Sequence, residues 1–477
     1  MKTLNRGEIK NGAKKPVKII QFGEGNFLRG FVDWMFDIMN DKIDFNGGIQ
    51  IVQPLEKGMG DLINVQDGLY HVMLEGLENG KKIQHFRLIT SVNGVVNPYH
   101  NYRSFLSYAE IPELEFIVSN TTEAGIKFNP SDKDFKFTPS AFPAKLTAFL
   151  YHRFCFFDGK PPEGLTILPC ELIENNGEKL KACILEYLWH WKLPKDFEDW
   201  ISQDIIFCNT LVDRIVPGYP ADRIITIHKQ LWFKDQLVVN AEYFHLWVIE
   251  GPQFLKEKLF VDASQLNIIV TDNLEKYRTR KVRILNGAHT AMVGYGLING
   301  FKKVKDVIEH ETAGQFIRDL IFKEIIPSVE MEKAELESYA KDVIERFQNP
   351  YIKHYLQDIS LNSISKFKVR VLPSLLSYIH KFNKVPIGLA TAFAYLIYLY
   401  KGHHDHFEVT LNDDDGIISF FKNAWQMGDE KQIVKKVLSN TDLWDEDLSI
   451  YEDLYSFISM KLKDMALETK SGRKPKA

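Results

Sequence analysis

Val17-Lys18-Ile19-Ile20-Gln21-Phe22 runs directly into Gly23-Glu24-Gly25-Asn26-Phe27-Leu28-Arg29-Gly30. The first six residues make the short apolar run of a buried strand, and a helical pattern continues from the glycines through Met39. Strand, Gly-x-Gly turn and helix in that order form a phosphate cradle. Gly23 permits the tight turn, Gly25 lets the backbone approach a pyrophosphate, and the amides that open the helix face the anion. The third glycine of the usual dinucleotide fingerprint would fall at position 28, where the chain carries Leu28. The fingerprint is thus only partly met, and a plain strand-to-helix turn would use the same residues.

Working outward, Ile49 to Gln53, Leu114 to Ser119, Leu165 to Cys170 and Leu266 to Val270 read as further buried strands. Helical patterns such as Ala141 to Phe156 and Glu178 to Trp191 separate them. Tyr70 to Leu77 and Lys81 to Thr90, joined by Glu78-Asn79-Gly80, read as a hairpin inserted between crossover units. That alternation describes an elaborated doubly wound α/β sheet of Rossmann type. From about Lys276 the strand signals fade, and helices punctuated by Pro327, Pro350, Pro373 and Pro386 follow one another through Ile458. The expected organisation is a dinucleotide-binding domain over residues 1–275 and an all-α substrate and catalytic domain over residues 276–477. A chain of 477 residues exceeds what one hydrophobic core usually supports, and its 45% hydrophobic content supplies material for two.

The second informative stretch is Lys281-Val282-Arg283-Ile284-Leu285-Asn286-Gly287-Ala288-His289. On a straight α-helix, with Lys281 at the origin, His289 falls at about 80° and Asn286 at about 140°. Ala288, Met292 and Leu285 lie within roughly 40° of Lys281, so the amine is expected on the apolar face. Lost hydration there would lower its pKa toward the range where an amine takes a proton from an alcohol. Asn286 could hold the oxygen on which negative charge develops, and His289 could orient the same substrate. The plainer alternative is a helix whose lysine snorkels to solvent and whose amide and imidazole bond internally.

These motifs resemble the polyol-specific long-chain dehydrogenase family. The similarity runs through residues 21–29, Gln66-Asp67-Gly68-Leu69-Tyr70, Ser119 to Gly125, Leu211 to Val216, Lys281 to His289 and Arg346 to His354. Within the family the likeness is greatest to members that act on keto-uronates. The resemblance implies that Lys281 is the general base, that Asn286 binds the oxyanion and that His289 completes the catalytic set. It implies cofactor contacts from Ile20, Gly23, Gly25, Asn26, Phe27, Arg29, Asn120, Thr121 and Glu123, and substrate contacts from Asp213, Lys353 and His354. The expected reaction is reversible, metal-independent hydride transfer between NAD and a small sugar acid, with other keto-uronates or a neutral ketose as the neighbouring substrates. Many relatives carry a second oxyanion-binding Asn two residues after a Cys, whereas this chain reads Cys170-Glu171-Leu172 before Asn176-Gly177. Either Asn176 or a backbone amide substitutes, or Asn286 and Lys281 act alone. Cofactor choice is also open to local reading, because the second strand ends in Gln53-Pro54 without the acidic residue that usually takes the ribose hydroxyls, with Glu56 slightly beyond. Resemblance favours NAD.

Other classes fit less well. A net charge of −4 gives no domain-wide basic excess for nucleic acid. The tail Lys470 to Ala477 is basic but short, and reads as a disordered end. The four cysteines form no Cys-x-x-Cys pair and have no His at metal-ligand spacing, which suits reduced thiols in the cytoplasm. Val385 to Tyr400 is uncharged but falls short of the ~20 residues that span a bilayer, and reads as a core helix. No membrane association and no obligatory protein partner is expected. Tyr277-x-x-x-Lys281 matches the Tyr/Lys pair of short-chain dehydrogenases, although Lys281 belongs to the longer pattern above. A redox-neutral epimerase and a non-catalytic dinucleotide-binding regulator are the readings from other classes. Lys366 and Arg370 join Lys353 and His354 as cations that could meet a substrate carboxylate.

Overall fold

The computed structural model describes residues 2–9, 12–122, 125–162, 164–404, 407–408 and 410–470. Glu123 and the tail beyond Lys470, both given roles above, lie outside the described residues. The chain divides into two compact units, Met1–Glu75 with Lys82–Leu274, and Gly76–Lys81 with Glu275–Ala477.

The first unit opens with β1 (Val17–Phe22), α1 (Asn26–Arg29) and α2 (Val32–Lys42). It continues through β2 (Gly48–Val52), the hairpin strands β3 (Tyr70–Glu78) and β4 (Lys81–Ile89), β5 (Val92–Val96) and β6 (Phe116–Ser119). Next come α3 (Phe142–Phe156), β7 (Thr166–Pro169), α4 (Asn176–His190) and β8 (Ile206–Phe207). Six strands form one sheet in the order β5-β2-β1-β6-β7-β8, with every pair parallel. By position in the chain that is third-second-first-fourth-fifth-sixth, the dinucleotide-binding order whose reversal beside β1 leaves a crevice at the strand ends. Both faces are covered, which is why β1 is apolar at consecutive positions. Ile19 joins the core around Met35 and Phe36 of α2, while Ile20 and Phe22 join the core around Leu146 and Phe149 of α3 and Ile184 of α4.

Two expectations for this unit need correction. The helix expected to run unbroken from the glycine turn through Met39 is interrupted at Gly30 and Phe31. A Cβ at Gly30 would stand 3.1 Å from Val239 and 3.3 Å from Val216, so the chain passes close to neighbouring segments there. The strand near residues 266–270 is present as β12 (Ile268–Thr271) but lies outside the main sheet. It pairs with β11 (Leu246–Glu250), which in turn pairs antiparallel with β9 (Asn209–Asp213). The sixfold sheet instead recruits β5, whose Val-Asn-Gly-Val-Val sequence carries a glycine at φ +148° and a weak strand signal. In the hairpin, Asn79 and Gly80 have φ of +52° and +74°, as a two-residue turn that follows the strand twist requires. A further strand, Val239–Glu242, pairs parallel with β3.

In the second unit α5 (Leu274–Arg280) passes into a π-helical turn, Lys281–Asn286, and then α6 (Gly287–Ile298). Among the helices that follow are α7 (Lys333–Phe347), α8 (Ser363–Arg370), α9 (Ile387–Leu399) and α10 (Glu452–Lys470). α6 and α9 are buried along most of their lengths and approach closely: a Cβ on Gly294 would lie 2.9 Å from the carbonyl carbon of Tyr395. α9 is the core helix read at residues 385–400. Among the described residues no helix is long and apolar enough to cross a membrane. The unit is not wholly helical, since His403–His404 and Phe407–Glu408 form a short antiparallel pair.

Candidate active site

The glycine turn lies on a cleft of about 730 Å³ in the first unit, lined by Gly23, Glu24, Gly25, Leu55, Asn120, Thr121 and neighbouring residues up to Phe142. Gly23 adopts φ +123°, and a Cβ there would come within 2.9 Å of the Asn120 carbonyl, so only glycine fits. At Gly25 nothing lies within 4 Å of where a Cβ would be, leaving open space beside the backbone. β6 delivers Asn120, whose amide hydrogen bonds to the Phe22 carbonyl and whose Nδ2 donates to the Cys170 carbonyl. Thr121 donates from both its backbone N–H and its hydroxyl to Glu171 Oε1, at 2.9 and 3.1 Å. Glu171, which sequence reasoning passed over, also accepts from Ser119 at 3.0 Å. It is 2% exposed, and burial raises its pKa while these donors pull it down. The signal for Glu171 was a charged residue closing an otherwise apolar strand run.

Not every residue expected at the cofactor reaches this cleft. Ile20 is fully buried in the hydrophobic core. Arg29 turns inward as well: it is 1% exposed and donates to the carbonyls of Glu24 and Leu237 and to Asn26 Oδ1 at 2.6 Å. Its guanidinium is held by the fold and is not free for a phosphate. Phe27 stacks on Phe31, with ring centroids 5.0 Å apart. Leu28, at the place of the missing glycine, is core and would be 3.4 Å from a Cβ on Gly23.

In the second unit the π turn changes the geometry expected of a straight helix. A turn that closes from residue i to i+5 brings Asn286 back over Lys281, much as residue i+4 stands over residue i in an α-helix. Three α-helical steps, about 300°, then carry His289 nearly once more around. Lys281, Asn286 and His289 therefore share one face, whereas the straight wheel spread them over about 140°. Lys281 and Asn286 are half-buried and His289 is 9% exposed. Gly287 allows this turn to pack closely, because a Cβ there would stand 3.0 Å from the Arg370 carbonyl of α8. The Tyr277 ring lies under the side chains of Lys276 and Arg280, at 4.8 and 4.9 Å.

The segment after α7 meets this face. The His289 ring stacks on Phe347 at 4.3 Å and meets His354 edge-on at 4.6 Å. Burial, reinforced by Arg346, lowers the His354 pKa below the ordinary imidazole value. Lys353 beside it is exposed. Lys366 donates to the Ile359 carbonyl at 2.9 Å.

Two doubts raised by the sequence are resolved locally. Asn176 Nδ2 donates to the carbonyls of Pro169, Glu171 and Thr210, and its Oδ1 accepts from the amides of Gly177 and Thr210. Its amide is consumed by the fold and cannot serve as the second oxyanion donor. Leu172 is 66% exposed and offers no side-chain donor. Asp213 ends β9, is 5% exposed and does not line the cleft, while Arg214 bonds the carbonyls of Gly30 and Glu242 and covers the Trp34 ring at 4.2 Å.

Residues 17–263 match the mannitol dehydrogenase Rossmann domain and residues 273–466 the mannitol dehydrogenase C-terminal domain. The chain belongs to the mannitol dehydrogenase family. It is 45% identical over 451 residues to the altronate oxidoreductase of Bacillus subtilis (strain 168), covering 94% of this chain and 92% of that protein. It is 41% identical over 478 residues to the altronate oxidoreductase of Bacteroides thetaiotaomicron, covering 99% and 100%. In fold it is similar to D-sorbitol dehydrogenase in substrate-free form, with TM-score 0.81, 20% identity and full coverage of both chains. It is also similar to Pseudomonas fluorescens mannitol 2-dehydrogenase in ternary complex with NAD and D-mannitol, with TM-score 0.66, 19% identity and coverage of 99% and 98%. As a member of the mannitol dehydrogenase family the chain is an oxidoreductase with an NAD-type cofactor. The open flank of Gly25 and the positive φ of Gly23 fit a pyrophosphate approaching the backbone.

Proposed function

We propose that this enzyme reduces D-tagaturonate to D-altronate with NADH, reversibly, as a step in hexuronate catabolism. The observation that carries the proposal is the π turn, which gathers an amine, a carboxamide and an imidazole on one helix face. The names of the curated relatives supply the sugar acid. Residues up to about 275 hold the cofactor, through Gly23, Gly25, Asn120 and Thr121, and the helical residues from 276 carry the chemistry. The bound cofactor supplies or accepts the hydride. Lys281 gives a proton to the carbonyl oxygen in the reduction and takes it back in the oxidation. Asn286 donates to the same oxygen as charge develops, and without a side-chain donor at position 172 or 176 that duty falls on Asn286, Lys281 and any backbone amide within reach. His289, fixed between Phe347 and His354, orients the substrate. Asp213 takes a substrate role by family likeness. A reducing cytoplasm suits the four free thiols.

A carboxylate brought into a partly dry site needs a cation. Lys353, exposed next to His354 in the chain, takes that role. Initial rates of NADH oxidation with tagaturonate, fructuronate and fructose test the assignment. Tagaturonate should exceed fructose by at least ~10² in kcat/KM, and Lys353→Met should remove most of that margin by weakening the acid alone. Fructose reduced as well as tagaturonate would replace the sugar acid with a neutral ketose.

A further inference from the structure

The second strand of a dinucleotide fold usually ends in an acidic residue that accepts the two hydroxyls of the adenosine ribose. Here β2 is followed by Gln53, whose carboxamide is already committed: Nε2 donates to the carbonyls of Leu55 and Glu56, and Oε1 accepts from the Gly60 amide. Glu56 is exposed and does not line the cleft. The carboxylate that does occupy this place comes from the glycine turn. Glu24 Oε1 accepts from the Met59 amide at 3.4 Å, and a Cβ on Gly58 would fall 2.2 Å from the same oxygen, so the acid rests on the loop that follows β2. Among the described residues that line the cleft, Glu24 is the one carboxylate and Lys127 the one basic side chain.

We propose that Glu24, lying between the two cradle glycines, is the specificity residue that accepts the adenosine ribose hydroxyls and turns away a 2′-phosphate. The inference rests on the NAD reading above and assigns it to a residue. A carboxylate offers two acceptors to a vicinal diol and sets a like charge against a phosphate. Lys127 sits in the same cleft and would act in the opposite sense if it, and not Glu24, met the 2′ position.

Calorimetric titration of the full chain with ADP-ribose and with 2′-phospho-ADP-ribose reads the ribose site without turnover. The parent should bind ADP-ribose more tightly by about tenfold or more. The isosteric Glu24→Gln should shrink that ratio at least about tenfold by weakening ADP-ribose alone, and Glu24→Lys should reverse it. KM for NADH should rise in Glu24→Gln with kcat little changed. An unchanged ratio in a variant that melts like the parent, or an equal loss for both ligands, overturns the inference while leaving the dehydrogenase reading intact. A parent that binds neither ligand overturns both, and a parent that prefers the phosphorylated one assigns the 2′ position to Lys127.

Discussion

Lys281 begins the π turn and Asn286 ends it, and in the mechanism proposed above the amine and the amide would meet the same reacting oxygen from adjacent positions. Lys281→Ala should lower kcat by about 10² to 10⁴ through the lost proton transfer, and further through lost charge stabilisation. NADH affinity, followed by fluorescence titration, should stay near that of the parent, since the cradle lies elsewhere in the chain; near-normal turnover would take Lys281 out of the mechanism. A different residue contributes to the pH dependence of stability. Asp33 on α2 is fully buried and accepts from the Tyr70 hydroxyl at 2.6 Å. Burial pushes its pKa up to about 7 from an ordinary 3.8. Between those values the folded chain holds a proton that the unfolded chain has released, so this group's contribution is complete below about pH 3.8 and is lost as pH rises through about 7. Asp33→Asn keeps a neutral side chain at every pH. It should therefore gain on the parent in unfolding free energy from pH 5 to pH 8, with an upper bound of about 3 kcal/mol. A parallel pH profile for the two proteins would show that Asp33 does not titrate in this way.

At the scale of elements, glycine sets how closely helices and turns approach. Gly294 of α6 faces the Tyr395 backbone of α9, and a methyl group there would stand 2.9 Å from a carbonyl carbon. Gly294→Ala should therefore destabilise the protein by about 1–3 kcal/mol, as overpacking does. A thermal melt of the variant indistinguishable from the parent would mean that α9 can retreat at no cost. The turn at Gly23 could be read from residues next to one another, because a strand followed by Gly-x-Gly demands a backbone that other residues avoid. The π turn could not. Its six residues have ordinary helical composition, and no local pattern distinguishes an i to i+5 hydrogen bond from i to i+4. The wheel drawn from sequence thus placed Asn286 and His289 about a quarter turn from where the π turn carries them.

At the scale of the whole molecule, proton transfer is assigned to an amine, and that chemistry calls for no Lewis acid. Activity should survive prolonged dialysis against a strong chelator; loss that one divalent ion restores would overturn the lysine mechanism. The two-part organisation, the first strand and its glycine turn, and the spacing of Lys281, Asn286 and His289 were all legible in the chain before any fold was known. Each depends on residues near in the chain, whose periodicity and backbone preferences carry the signal. Where long side chains go depended instead on contacts made across the fold. Arg29 reads as a cofactor contact until its guanidinium meets the Leu237 carbonyl, and Asn176 reads as one of the alternative oxyanion donors until Pro169, Glu171 and Thr210 claim its amide. Glu24 reads as a turn residue until Met59 and Gly58 place it beyond β2. A buried polar group takes whatever partner the fold brings to it, and those partners lie as many as 208 positions away, beyond the reach of any local pattern.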